Sequence, residues 1–118
     1  MDGGSRSGEL DYIDDMLEAA QKIEKYTDGM SHEEFVSDEK TVDAVLRNLE
    51  ILGEASKLIT EDVREHAPEI PWSEMAGMRD KLIHGYATID LDIVWQTVTE
   101  EVPQLRSKLD ELLMELAD

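Results

Sequence analysis

The stretch Arg79-Asp80-Lys81-Leu82-Ile83-His84-Gly85-Tyr86 sets an arginine, a histidine and a tyrosine within eight residues. Arginine carries a permanent cation whose planar fork of donors suits a phosphate. Histidine can both take and give a proton near neutral pH. Together these types fit cleavage of an RNA phosphodiester without a metal. Such cleavage needs a base for the ribose 2′-hydroxyl and an acid for the departing 5′-oxygen. It also needs a cation against the charge that develops on the phosphoryl oxygens. Each residue also has a plainer reading. A histidine in the last turn of a helix complements the dipole, as His66 does before Pro68. Arg79 can pair with Glu74, and a tyrosine just past a helix stop commonly packs half-buried with its hydroxyl bonded.

Spacing constrains the chemistry. Arg79 and His84 stand five residues apart, about 140° of rotation in a continuous helix, so they do not share a face. They converge only if the helix end unwinds or a second copy of the chain contributes. One histidine in the site also cannot act as acid and base at once, whereas a symmetric dimer supplies two across its axis. The expectation is a homodimer with a composite cleft.

The surroundings are strongly acidic. The chain has 118 residues, 41% of them hydrophobic, which is enough for one domain with a core, and a net charge of −18. Residues 1–71 carry −12 and residues 87–118 carry −6, while residues 72–86, which hold Arg79 and His84, are neutral. Such a field opposes nonspecific nucleic-acid binding, which depends on cations displacing counterions. Any work on RNA must therefore be confined to a small site or take place at high ionic strength. An acidic excess also keeps the proteins of salt-accumulating organisms soluble, so a halophilic source is one expectation. Cysteine is absent, which removes disulfides and thiolate metal sites. No apolar run reaches the roughly 20 residues needed to span a bilayer, and a cytoplasmic location without membrane partners is expected. Residues 1–8 are small and polar and read as a disordered leader, with the domain over 9–117.

Helical periodicity dominates the rest. Leu10, Ile13, Leu17, Ala20 and Ile23 predict a helix near 8–27, stopped by Asp28-Gly29. Ser31-His32-Glu33-Glu34 reads as a capping box opening one short turn. Ser37-Asp38-Glu39 starts a second long helix. Its apolar stripe runs through Val42, Val45, Leu49, Leu52, Ser56, Ile59 and Val63, until Pro68 and Pro71 end it. Pro71 suits the first turn of a third helix over about 72–84, with Met75, Met78 and Leu82 inward and Gly85 as its stop. Asp90 can cap a fourth helix to about 117, kinked or split near Pro103, which lacks a backbone donor. No alternating strand pattern competes. The fold class is all-α, an antiparallel four-helix bundle with a short extra helix.

Other chemistries find little support. There is no HExxH, no glycine-rich phosphate loop and no GxSxG, and no cofactor or metal is implied. Asp90 and Asp92 read as helix-start acids. Within the second helix Arg47, Glu50 and Glu54 form one polar line at steps of three and four. That line is either a solvated ion-pair ladder or a support in which Arg47 binds RNA phosphate and an acid orients Arg79 or His84. Lys81 joins it as an RNA-binding or supporting candidate. Gly53, mid-helix, costs about 1 kcal/mol against alanine and points to a close helix approach there.

Arg79-x4-His84-x-Tyr86 resembles the RX4HXY signature of the HepT-type HEPN toxins, the ribonuclease half of HepT–MntA toxin–antitoxin pairs. The resemblance extends through Arg47–Ala55, Pro71–Tyr86 and Ile89–Trp95, and so covers roughly residues 9–117. It implies a HEPN helical bundle and a homodimer with both signatures at the interface. The implied activity is metal-independent endoribonuclease cleavage by Arg79 and His84. It also implies that a cognate MNT nucleotidyltransferase antitoxin attaches AMP to Tyr86, with a hetero-oligomer of the two chains as a further form of the assembly. A non-catalytic subunit that binds nucleotide or docks a nucleotidyltransferase through the same cleft is the alternative.

The charge generates a first prediction. Long-range repulsion between a −18 protein and RNA should suppress association at low ionic strength, so binding of a short RNA should rise from low to moderate salt. A titration in which binding falls steadily from the lowest salt would show that local cations outweigh the global field.

Overall fold

The computed structural model describes the backbone of residues 2–78, 83–84 and 88–117, and the side chains of residues 8, 10–78 and 89–117. Arg79, Lys81 and Tyr86 lie outside the described residues, as do Leu82 and Gly85; for His84 the backbone alone is described. The elements are α1 (Asp2–Thr27), α2 (His32–Ser37), α3 (Glu39–Lys57), α4 (Glu61–His66), α5 (Trp72–Ala76), β1 (Ile83–His84), β2 (Thr88–Ile89) and α6 (Leu91–Gln96). A π-helical turn over Thr97–Glu101 then leads into α7 (Val102–Ala117). The architecture is an all-α bundle in which α1 packs along both α3 and α7.

The core sits where the apolar stripes of these long helices meet. Ile13, Met16, Ala20 and Ile23 of α1 face Val45, Leu49 and Leu52 of α3 and Leu109 and Leu112 of α7, all fully or almost fully buried. Arg106 ties α7 back to α1, with its Nε 2.6 Å from Glu24 Oε1 and its Nη1 3.2 Å from Asp110 Oδ2. The hydrogen bond to Glu24, helped by that carboxylate's charge, holds the guanidinium above its ordinary value. The backbone of α1 starts at Asp2 and so runs through the segment read as a leader.

Local signals produced the expected joints. Gly29 takes φ +76°, the left-handed conformation that ends α1. The capping box at α2 is complete: Glu34 N donates to Ser31 Oγ at 3.1 Å, and Ser31 N donates to Glu34 Oε1 at 2.8 Å. Asp38 Oδ1 accepts from Thr41 N and starts α3.

Two predicted helices are shorter than expected. The second long helix does not continue to Pro68 but breaks at Leu58–Thr60 into α3 and α4. Thr60 Oγ1 accepts from Val63 N as a new N-cap, with Glu61 and Asp62 in the first turn. Arg64 Nη2 donates to Ser56 O at 2.9 Å and satisfies a carbonyl at the end of α3. The apolar spacing runs on through the break because Ile59 within it and Val63 after it are both buried.

The third helix does not reach 84. α5 ends at Ala76, with Gly77 as its C-cap, and Met78 remains buried beyond it. Ile83 and His84 are extended and pair antiparallel with Ile89 and Thr88. Asp90 does cap the next helix, its Oδ1 accepting from Asp92 N and Ile93 N. The break expected near Pro103 takes the form of the π turn just before it. The N–H of Val102 reaches Thr97 O, one residue farther than in an α-helix. Proline's ring crowds the carbonyl four residues back, and a wider turn at that point relieves the clash.

Gly53 positions α5. A Cβ built there would lie 3.0 Å from the carbonyl oxygen of Met75, so only glycine allows α5 to cross α3 at this distance. Gly53→Ala should gain about 1 kcal/mol of helix propensity and lose about 1–3 kcal/mol to overpacking, a net loss in urea denaturation. A variant as stable as the wild type would show that α5 can retreat freely.

Candidate active site

The segment that carries the signature is anchored at both ends. On its N-terminal side, α5 is held against Gly53, by buried Met75 and Met78, and by Trp72, whose Nε1 donates to Ala67 O at 3.0 Å. On its C-terminal side, β2 leads within two residues into Asp90 and the capped start of α6. His84 is paired with Thr88, and the three residues between them include Tyr86 at the centre. The 140° separation of Arg79 and His84 presumed an unbroken helix to residue 84, and the extended backbone at His84 removes that premise.

A side-chain clip braces α6 against α2. His32 Nε2 lies 2.9 Å from Asp92 Oδ1, and the His32 ring stacks on Trp95 with centroids 6.0 Å apart and planes at 23°. Phe35, fully buried, meets the same indole at 5.2 Å. Two i, i+3 pairs, His32/Phe35 on α2 and Asp92/Trp95 on α6, thus interlock. Sequence reasoning missed this clip. It assigned His32 to a capping box and Asp92 to a helix start, and no local signal joins segments some sixty positions apart.

Arg47, Glu50 and Glu54 are exposed along one face of α3, as their spacing requires. With Tyr12 and Asp15 of α1 they line a groove of about 350 Å³ floored by Ile51, Ala55 and Leu58. Of the two readings of this line, the ion-pair ladder is not formed among the described residues. Glu54 pairs instead with Lys57 at 3.4 Å, and among the described residues Arg47 has no ion-pair partner. Gly53 precedes Glu54 and lies about 100° around the helix, so the polar stripe borders the face that receives α5. Among the described residues, no group of His, Asp and Glu has the geometry of a metal site. No helix of the described residues is long and apolar enough to cross a membrane.

Comparison with known proteins places this architecture. The family model described as "Ribonuclease HepT-like" matches residues 16–112, which include the whole signature. A "Probable ribonuclease HepT" of Thermococcus cleftensis is 50% identical over 102 residues, covering 86% of this chain and 93% of the relative. Two proteins named "Putative RNase" are also similar. One, from Methanocaldococcus jannaschii, is 40% identical over 105 residues, 89% of this chain and 87% of its own. The other, from Caldanaerobacter subterraneus, is 39% identical over 102 residues, 86% and 91% of the two chains. No solved structure matches. By a family match across most of its length, and by relatives that align nearly end to end, the chain belongs to the HepT-like ribonuclease family.

Proposed function

We propose that this protein is the toxin of a toxin–antitoxin pair, a metal-independent endoribonuclease whose Arg79 and His84 act in a cleft shared by a homodimer. The observation that carries the reading is the family match over 16–112 together with an intact Arg79-x4-His84-x-Tyr86. In the proposed reaction, one His84 takes the 2′-hydroxyl proton as the 2′-oxygen bonds to phosphorus. The P–O5′ bond breaks, and the 5′-oxygen receives a proton from the partner subunit's His84. The products are a 2′,3′-cyclic phosphate and a 5′-hydroxyl. Arg79 faces the phosphoryl oxygens, where charge rises in the transition state. Arg47 and Lys81 supply further phosphate contacts, and Glu50 and Glu54 orient the cations. Operation in a salt-rich cytoplasm would reconcile the −18 charge with an RNA substrate.

Arg79→Ala and His84→Ala should each lower cleavage by at least about 100-fold while leaving the helical circular dichroism intact. A His84→Ala protein that cuts at the wild-type rate removes His84 from the mechanism, and loss of wild-type activity with EDTA points to a metal enzyme. Light scattering should give about twice 13.4 kDa. A monomer at micromolar concentration defeats the shared cleft.

Control is proposed to come from a separately encoded MNT-type nucleotidyltransferase that transfers AMP to Tyr86. Added phosphates bring negative charge and acceptors that compete with RNA for Arg79. Incubation with that enzyme, ATP and Mg²⁺ should add about 329 Da per AMP and abolish cleavage, and Tyr86→Phe should block both changes. A Tyr86→Phe protein that is still modified and inactivated places the acceptor elsewhere, with Tyr12 and Tyr26 the remaining tyrosines. An unmodified but inhibited wild type means that the antitoxin acts by occlusion.

A further inference from the structure

We infer that His32, far from the signature in sequence, is a positioning residue for His84. The link is a short mechanical chain. His32 holds Asp92 at 2.9 Å and stacks on Trp95, fixing the short helix α6 against α2. Asp90 Oδ1 binds the backbone N–H groups of Asp92 and Ile93, so the entry to α6 is rigidly joined to that clip. β2 ends at Ile89, immediately before Asp90, and its Thr88 is the register partner of His84. Asp92 thus stands four residues from the residue that pairs with His84. Of the elements described, β2 is the one paired with the His84 backbone, and the clip governs where β2 begins its exit.

The clip is not needed to hold the core together. The His32 side chain is 48% exposed and Asp92 82% exposed, whereas fully buried Phe35 already packs on Trp95 between α2 and α6. A half-exposed pair of this kind adds little stability. What it adds is placement. A carboxylate held by an imidazole that also lies flat on an indole ties the first turn of α6, the end that follows β2, to the start of α2. Proton transfer is sensitive to placement, since a displacement of about 1 Å in a reacting group can cost 100-fold.

The inference rests on the proposed role of His84 as acid and base, and the test separates the two. Cleavage of a short RNA is followed for the wild type, His32→Ala, His32→Gln and His66→Ala, together with the imidazole resonances of the dimer. Only three histidines are present, so His84→Ala assigns its signal. His32→Ala should lower kcat by about tenfold with KM nearly unchanged, because phosphate contacts remain, and should shift the His84 resonance. His32→Gln keeps an N–H near the position of Nε2 and should recover most of kcat. His66, exposed and 3.8 Å from Glu115, serves as the control and should change neither readout. A His32→Ala protein with wild-type kcat, an unmoved His84 resonance, or a glutamine variant as impaired as alanine each overturns the inference. If the wild type cleaves no RNA, the ribonuclease reading falls, and the His84 resonance in His32→Ala still decides whether the clip reaches that residue.

Discussion

The contact between Gly53 and the Met75 carbonyl is the constraint on which the rest of the arrangement depends. The three long helices α1, α3 and α7 build the centre of the core. The signature, however, follows α5, and α5 is only five residues long, too short to be stable alone. It exists because its backbone can come within 3.0 Å of where a side chain on α3 would begin. That proximity lets Trp72 and Met75 reach the core from little more than a single turn of helix, with Met78 buried just beyond it. A glycine that weakens α3 locally is thus the means by which α3 receives the helix that precedes the signature.

Features with a short-range cause were readable in the sequence. The capping box at Ser31, the stop at Gly29, the cap at Asp90 and the close approach at Gly53 each follow from one or two residue types at fixed offsets. The two errors share a physical origin, which is that apolar periodicity reports burial and not continuity. Ile59 and Val63 keep the helical stripe of α3 because both face the same core, yet Thr60-Glu61-Asp62 already spelled a new N-terminus. Likewise Met75 and Met78 are inward, as a helix to residue 84 would require, but Gly77 caps the helix between them. The effect of Pro103 was foreseeable, though not its form. A π turn spreads the lost hydrogen bond over Thr97–Glu101 without splitting the helix, and Thr97 and Thr99 hydroxyls engage the carbonyls of Ile93 and Trp95.

The candidate site shows the same division. Residue types and spacing singled out Arg79, His84 and Tyr86, and put Arg47, Glu50 and Glu54 on one line. The partner of Glu54 was not legible. In a chain this acidic, any cation has many potential partners, and helix geometry favours Lys57 three residues on. The clip of His32, Phe35, Asp92 and Trp95 was equally beyond reach, because it depends on how α2 is laid against α6 after both have formed. Only packing brings those pairs together.

Length scale reconciles the acidity with a phosphate substrate. Repulsion from the whole surface acts over the Debye length, about 8 Å at physiological ionic strength and about 3 Å at 1 M salt. A guanidinium on a phosphate acts at hydrogen-bond distance and is partly shielded from solvent, so salt weakens it less. The neutral window at 72–86, and Arg47, which has no ion-pair partner among the described residues, are therefore places where short-range attraction can prevail once the long-range term is screened. This also sets the terms for control by modification. In a basic nuclease, one added phosphate is a small change in a large positive field. In the proposed reading the attraction would rest on a few cations against −18, so negative charge delivered beside one of them would remove a large share of what holds the substrate. An acidic chain with a sparse cationic site is in that sense easier to switch off than a basic one.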